Sequence, residues 1–174
     1  EAAGLELALV QRALMFAGDL PRVAIAALEE GEAGLEAFRL EHFSPLRPML
    51  PQTAADPSEA LASLGRGLFE QKLDGARVQV HRRGSEVRVY SRALNEVTAS
   101  VPELVEGALA LPCESIVLDG EALALDAGGR PRPFQVTMRR FGRRRDVGAL
   151  RRSLPLAWRY FDCLECDGEE LVDR

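Results

Sequence analysis

The residues most suited to chemistry lie in the stretch 70–77, which reads E-Q-K-L-D-G-A-R. Lys72 is the only lysine among the 22 lysine and arginine residues of the chain. An arginine keeps its proton in a protein, whereas a lysine can lose its proton, and so become a nucleophile, when burial or nearby positive charge lowers its pKa. Arg77 and Arg92 can supply that charge. The stretch predicts a covalent lysine nucleophile, and its alternative is a surface lysine beside an Asp-Gly turn.

Three further positions carry side chains that could bind a nucleotide. Glu121 follows Asp119-Gly120 inside an otherwise apolar strand, and a buried carboxylate needs a partner, so Glu121 is a candidate for a ribose hydroxyl or Mg²⁺. The alternative is an edge strand with a bulge and solvated acids. Phe161 can stack on a purine base or belong to the core. Arg92, at the end of a predicted hairpin, can bind a phosphate through its planar fork or lie solvated.

The charge of the chain is uneven. The formal net charge is −5, so the chain as a whole is not a basic nucleic-acid binder. Between residues 130 and 152, however, arginines far outnumber the single acid Asp146. Arginines around an aromatic residue suit the phosphate backbone of DNA, and their alternative is a charged surface loop. The candidate DNA-binding residues are Arg139, Arg140, Arg143 and Arg144.

Composition narrows the class of protein. The chain has 174 residues, of which 47% are hydrophobic, enough for one core and a smaller appendage. Its three cysteines do not form a disulfide framework, and Cys163 and Cys166 have too few partners for a structural zinc site. A reducing cytoplasm is the simplest location. No apolar run approaches the length of a membrane span.

The periodicity of apolar residues predicts an α+β fold that changes character along the chain. Residues 1–44 are predicted as helices, the proline-rich stretch 45–57 as a linker, and 58–174 as a domain that becomes strand-rich after Gly67. We expect strands at 68–70, 77–92 (a hairpin), 115–125 and 156–166. Helices are expected at 5–16, 21–28, 31–40, 57–64 with Asp56 as its cap and Pro57 at its first position, 100–110 with a capping box, 144–154 and from 169 onward.

Four motifs, in order, resemble those of the covalent nucleotidyltransferases. They are K-L-D-G-A-R at 72–77, Ser91-Arg92, V-L-D-G-E at 117–121 and Y-F-D-C-L at 160–164. Within that superfamily the chain resembles the ATP-dependent DNA ligases shared by archaea and some bacteria, which carry an N-terminal helical DNA-binding domain. The stretches 13–20, 48–52, 133–135 and 139–142 also resemble that type. The resemblance implies an adenylation core of antiparallel sheets around an ATP cleft, preceded by the helical tail of a DNA-binding domain.

The resemblance also implies a reaction. Lys72 would attack the α-phosphate of ATP, release pyrophosphate and hold AMP, which then passes to the 5′-phosphate of a nick in duplex DNA before the strand is sealed. Mg²⁺ would offset the phosphate charge. The resemblance also assigns the remaining contacts. Glu70 and Phe161 would contact adenine, Arg77 and Glu121 would contact ribose, and Arg92 would bind a phosphate. A monomer is expected.

Two other classes of function stay open from the sequence. One is another enzyme of the superfamily, an RNA ligase or a capping guanylyltransferase. The other is a catalytically inactive nucleotide- or DNA-binding module. The chain ends before the family's later motifs and its oligonucleotide-binding barrel, so we expect part of a longer enzyme. That part could bind a nucleotide but could not seal a nick.

Overall fold

The protein has an α+β fold, described by a computed structural model over residues 4–48, 52–142 and 146–172. Its helices are α1 Leu7–Ala17, α2 Leu20–Glu29, α3 Gly31–Glu36, α4 Pro57–Leu64, α5 Pro102–Leu109, α6 Phe134–Phe141 and α7 Val147–Ser153, with a 3₁₀ turn at Thr98–Ser100. Its strands are β1 Ala76–Arg83, β2 Glu86–Ser91, β3 Ser115–Ala124, β4 Leu156–Cys166 and β5 Glu169–Glu170. No helix in these ranges is both long and apolar enough to cross a membrane.

All five strands form one antiparallel sheet in the order β2-β1-β3-β4-β5. β3 lies at its centre, so the edge-strand alternative for Asp119-Gly120-Glu121 is wrong. The pairing of β3 with β4 shifts register after Val117 and again after Asp119, as β-bulges do. At Gly120 an added Cβ would lie 2.2 Å from Trp158 Nε1, so only glycine lets β4 approach this closely.

Both faces of the sheet contain buried residues, because successive strand residues point to opposite sides. On one face, Val78 and Val80 of β1 pack with Leu104 and Ala108 of α5. On the other face, Val117 packs with Phe16 of α1 and with residues of the connection that follows α3. Helices therefore pack on both faces of the same sheet.

The connection after α3 is attached to the sheet. Leu46 donates its N–H to Gln79 Oε1 at 2.9 Å, and Gln79 Nε2 donates back to the Leu46 carbonyl at 2.8 Å. Phe43 N–H donates to Nδ1 of His81 at 3.1 Å, and burial lowers the pKa of His81 to about 4, so that ring is neutral. The predicted linker has no helix or strand in its described residues before α4, yet it begins with a docked segment.

Some sequence expectations hold and others fail for identifiable reasons. The strand 156–166 and the cap of α4 by Asp56 are confirmed. The strand predicted at 68–70 is wrong, since those residues are irregular, and the helix predicted from 169 is instead β5. The capping box is also wrong, because α5 starts at Pro102 without a side-chain cap.

Candidate functional site

A cleft of about 1110 Å³ opens where the segment before β1 crosses the ends of β2 and β3, with α6 along one wall. The candidate residues that line it are Lys72, Arg77, Arg92, Glu121 and Phe161. A second, adjoining cleft of about 820 Å³ is lined by Glu70 and again by Lys72, Glu121 and Phe161. The fold thus brings residues from four distant motifs to one place, and Lys72 stands where the two clefts meet.

The lysine segment is irregular but tethered to the central strand. Gly75 donates its N–H to Glu121 Oε1 at 3.1 Å. A Cβ at Gly75 would lie 2.5 Å from the Ala122 carbonyl oxygen and from Leu123 Cδ2, so glycine permits this close approach. Lys72 itself is exposed at the cleft. Its charge acts on the Glu121 carboxylate, so the amine lies near the acidic strand.

Glu121 is a half-buried carboxylate under opposing influences. Burial raises its pKa above the usual range, while the Gly75 N–H and the positive charges of Lys72 and Arg77 act to lower it. A carboxylate in this situation gains from a further cation or hydrogen-bond donor. The site is therefore suited to a ligand that brings one, such as a ribose hydroxyl or a nucleotide-bound metal ion.

Arg77 is held by a partner that the sequence analysis missed. Its Nε donates to Asp119 Oδ1 at 3.0 Å and its Nη2 to Asp119 Oδ2 at 2.6 Å. The hydrogen bond to Asp119 raises the pKa of Arg77. The guanidinium carbon lies 5.5 Å from the centre of the Phe161 ring, within cation–π range. Asp119 thereby fixes an arginine that touches both the cleft and its aromatic wall.

Arg92 follows the end of β2 and is exposed at the cleft. Because β1 and β2 form a hairpin in which Val78 pairs with Ser91, Arg92 returns to the end of the sheet where Lys72 lies. Within the described residues, no hydrogen bond or ion pair engages its side chain, so its planar fork is available to an anion.

The two predicted DNA-binding arginines that the structure describes lie in different environments. Arg139 is exposed on α6, as a DNA contact would require. Arg140 as a DNA contact is wrong: its side chain is 0% exposed and its guanidinium is bonded to Glu103 and to backbone carbonyls. The predicted roles of Arg143 and Arg144 fall outside the described residues.

Residues 48–174 match the family model described as "ATP dependent DNA ligase domain". The chain belongs to the ATP-dependent DNA ligase domain family. It is 59% identical over 165 residues to a probable DNA ligase of Anaeromyxobacter sp. strain Fw109-5, covering 95% of this chain and 32% of that protein. It is 55% identical to a probable DNA ligase of Sorangium cellulosum, over 95% of this chain and 31% of that protein. The chain thus spans about a third of the length of these relatives.

Two solved structures of ligases are also similar. The ligase domain of M. tuberculosis LigD has a TM-score of 0.47 and 35% identity, over 59% of this chain and 30% of that one. The mycobacterial DNA ligase D complexed with ATP and MES has a TM-score of 0.43 and 33% identity, with the same coverage.

Proposed function

We propose that this chain is the AMP-accepting part of an ATP-dependent DNA ligase, and that the full-length protein seals nicks in duplex DNA. The observation that carries the proposal is the cleft at which Lys72 meets Arg77, Arg92, Glu121 and Phe161. Membership of the ligase family supports the reaction class. Helices at 1–44, a linker at 45–57 and an adenylation domain from 58 remain our proposed domain organisation.

Lys72 is proposed as the nucleophile. The neutral amine attacks the α-phosphorus of ATP, a nitrogen–phosphorus bond forms, the bond to pyrophosphate breaks, and the amine releases its proton. Two cationic side chains, Arg77 and Arg92, line the same cleft. A 5′-phosphate oxygen then takes AMP from Lys72, and the 3′-hydroxyl displaces AMP to join the strands.

The nucleoside contacts follow from the cleft walls. Phe161 is 43% exposed, so its ring is available to stack on adenine, with Glu70 beside the base. Arg77 and Glu121 are proposed to contact the ribose, because both lie on the cleft face of adjacent strands as paired residues. Arg92 is proposed to bind the nucleotide or nick phosphate.

Glu121 is the residue proposed to hold Mg²⁺. The described residues contain no group of three or more potential metal ligands, and Mg²⁺ in nucleotide sites uses one or two carboxylates together with phosphates and waters. One half-buried carboxylate with a raised pKa fits that donor set. When bound, Mg²⁺ supplies positive charge that offsets the negative charge on the phosphates.

The DNA contact proposed within the described residues is Arg139, since it is exposed on a helix that lines the cleft. A backbone contact of this kind adds affinity without reading sequence. We also propose that the protein acts as a monomer in the cytoplasm.

The test uses the full-length protein and ATP or GTP labelled at the α-phosphate. We expect label from ATP, not GTP, to become covalently attached, and Lys72→Ala to abolish attachment. Lys72→Arg is the matched control, because it keeps the positive charge but cannot act as the nucleophile. Attachment from GTP would favour a capping enzyme. Unchanged labelling of Lys72→Ala would remove the catalytic assignment, and sealing of nicked RNA but not nicked DNA would favour an RNA ligase.

A further inference from the structure

Arg140, on α6, is the largest fully buried side chain of the described residues. Its Nη1 donates to Glu103 Oε1 and to the Leu154 carbonyl, both at 2.6 Å. Its Nη2 donates to Glu103 Oε2 at 2.9 Å and to the Ser100 carbonyl at 3.3 Å. One guanidinium therefore joins α6 to the start of α5 and to the end of α7.

A second buried polar side chain holds the same helix. Thr137 is fully buried and its Oγ1 accepts the Ala124 N–H, at 3.0 Å, from the end of β3. Thr137 and Arg140 are three residues apart, and so lie on neighbouring positions of one helix face. The adjoining side of α6 presents Phe134 and Met138, both partly exposed, to the cleft. Hydrogen bonds hold the buried face, and the adjoining face forms a wall of the site.

We propose that Arg140 is a positioning residue: with Glu103 it fixes α6 as the wall of the cleft and thereby sets where Arg139 points. Arg140 itself does not touch DNA. The inference rests on the proposed function for its DNA measurements, but hydrogen exchange of α6 tests it independently of activity.

A lysine cannot replace this arginine. The planar guanidinium donates in several fixed directions at once, to the carboxylate of Glu103 and to carbonyls on two other segments. An ammonium carries its three donors on one nitrogen and cannot span them. A phosphate contact, in contrast, tolerates lysine as a point charge. The Arg140→Lys variant therefore separates the two roles.

The experiment compares full-length Arg140→Lys with wild type by hydrogen exchange of the amides of 134–141 and by nick sealing. We expect faster exchange in α6, and sealing slowed by up to ~100-fold, the size of effect that misplacement by about 1 Å can produce. AMP attachment should slow less, because Arg77, Glu121 and Phe161 stand on the sheet rather than on α6. Wild-type exchange together with wild-type sealing in this variant would overturn the proposal.

The salt dependence of DNA binding supplies the second measurement. The double variant Arg140→Met with Glu103→Leu removes both charges, so that neither is buried alone. Arg139→Met alone should lower the slope of log affinity against log salt concentration by ~1, as loss of one phosphate contact does. Because Arg140 and Glu103 act through Arg139, adding the double variant to Arg139→Met should lower the slope no further. A further fall of ~1 in this triple variant would show that Arg140 itself contacts a phosphate and would overturn the proposal. If wild type attaches no AMP at all, the proposed function fails, while hydrogen exchange still decides the role of Arg140.

Discussion

The cleft and the interior beneath α6 each contain an arginine held by both oxygens of one carboxylate. Arg77 pairs with Asp119 at 2.6–3.2 Å, and Arg140 pairs with Glu103 at 2.6–2.9 Å. The distances are nearly the same but the surroundings are not. The Arg140 side chain is 0% exposed, whereas the Arg77 side chain is 31% exposed and lies against Phe161.

This difference separates two uses of the same interaction. In the interior, backbone carbonyls occupy other donors of Arg140, so the pair serves the packing of helices. In the cleft, Asp119 holds one edge of the Arg77 guanidinium and leaves part of it open to the site. A buried carboxylate thus orients a cation there without enclosing it, which is the arrangement a ligand-binding arginine needs.

The largest effect should come from breaking the interior pair. Glu103→Ala leaves the Arg140 charge buried without its carboxylate and also removes the acceptor of the Leu156 N–H. We expect the free energy of unfolding to fall by ~3–5 kcal/mol, the usual cost of an uncompensated buried charge. Urea denaturation followed by far-UV circular dichroism measures this change.

The matched control for that prediction is the double variant Glu103→Leu with Arg140→Met. Replacing both members of a buried pair by apolar side chains is often neutral or stabilising, so the double variant should recover much of the lost stability. A Glu103→Ala protein as stable as wild type would show that the buried arginine does not depend on its carboxylate.

The sequence predicted the parts of the molecule that depend on local pattern. The alternation of apolar residues placed β4 at 156–166, and Asp56 before Pro57 indicated the start of α4; both agree with the structure. Such features need only neighbouring residues, because side-chain periodicity and capping are local.

The features that the sequence could not predict depend on contacts between distant residues. Asp119 contacts Arg77 only because β1 and β3 pair in a register that aligns Arg77 with Glu121. Glu121 lies two residues beyond Asp119 on the same face of β3. Arg140 lies within an arginine-rich run that gives no sign of burial, and its burial depends on Glu103, 37 residues earlier. The predicted capping box failed for the same reason, since Glu103 bonds to Arg140 instead of to the α5 backbone.

A smaller loss of stability should follow from breaking the cleft pair. Asp119→Asn keeps the shape but removes the charge that holds Arg77, and we expect a loss of ~1–3 kcal/mol, because water can reach the partly exposed guanidinium. The loss of ATP binding should be larger than the loss of folding stability. Arg77 would no longer be oriented, so the ATP concentration giving half-maximal AMP attachment in single-turnover experiments should rise.

The control for the cleft pair is Glu106→Gln, which removes an exposed carboxylate that lines neither cleft. It should leave the dependence of AMP attachment on ATP unchanged. Asp119→Asn protein that attaches AMP with the wild-type dependence would mean that Arg77 needs no carboxylate to serve the site.

The smallest effect is expected from a pair on the surface. Arg151 donates to both oxygens of Glu106 at 2.7 and 2.5 Å, and this contact lowers the pKa of Glu106. The two side chains are 40% and 58% exposed, however, so water solvates each charge when the pair separates. Arg151→Ala should leave the urea midpoint unchanged within error at both low and high salt. Because this pair is as short as the two others, a loss matching that of Asp119→Asn would show that bond length, rather than burial, sets the strength of such pairs here.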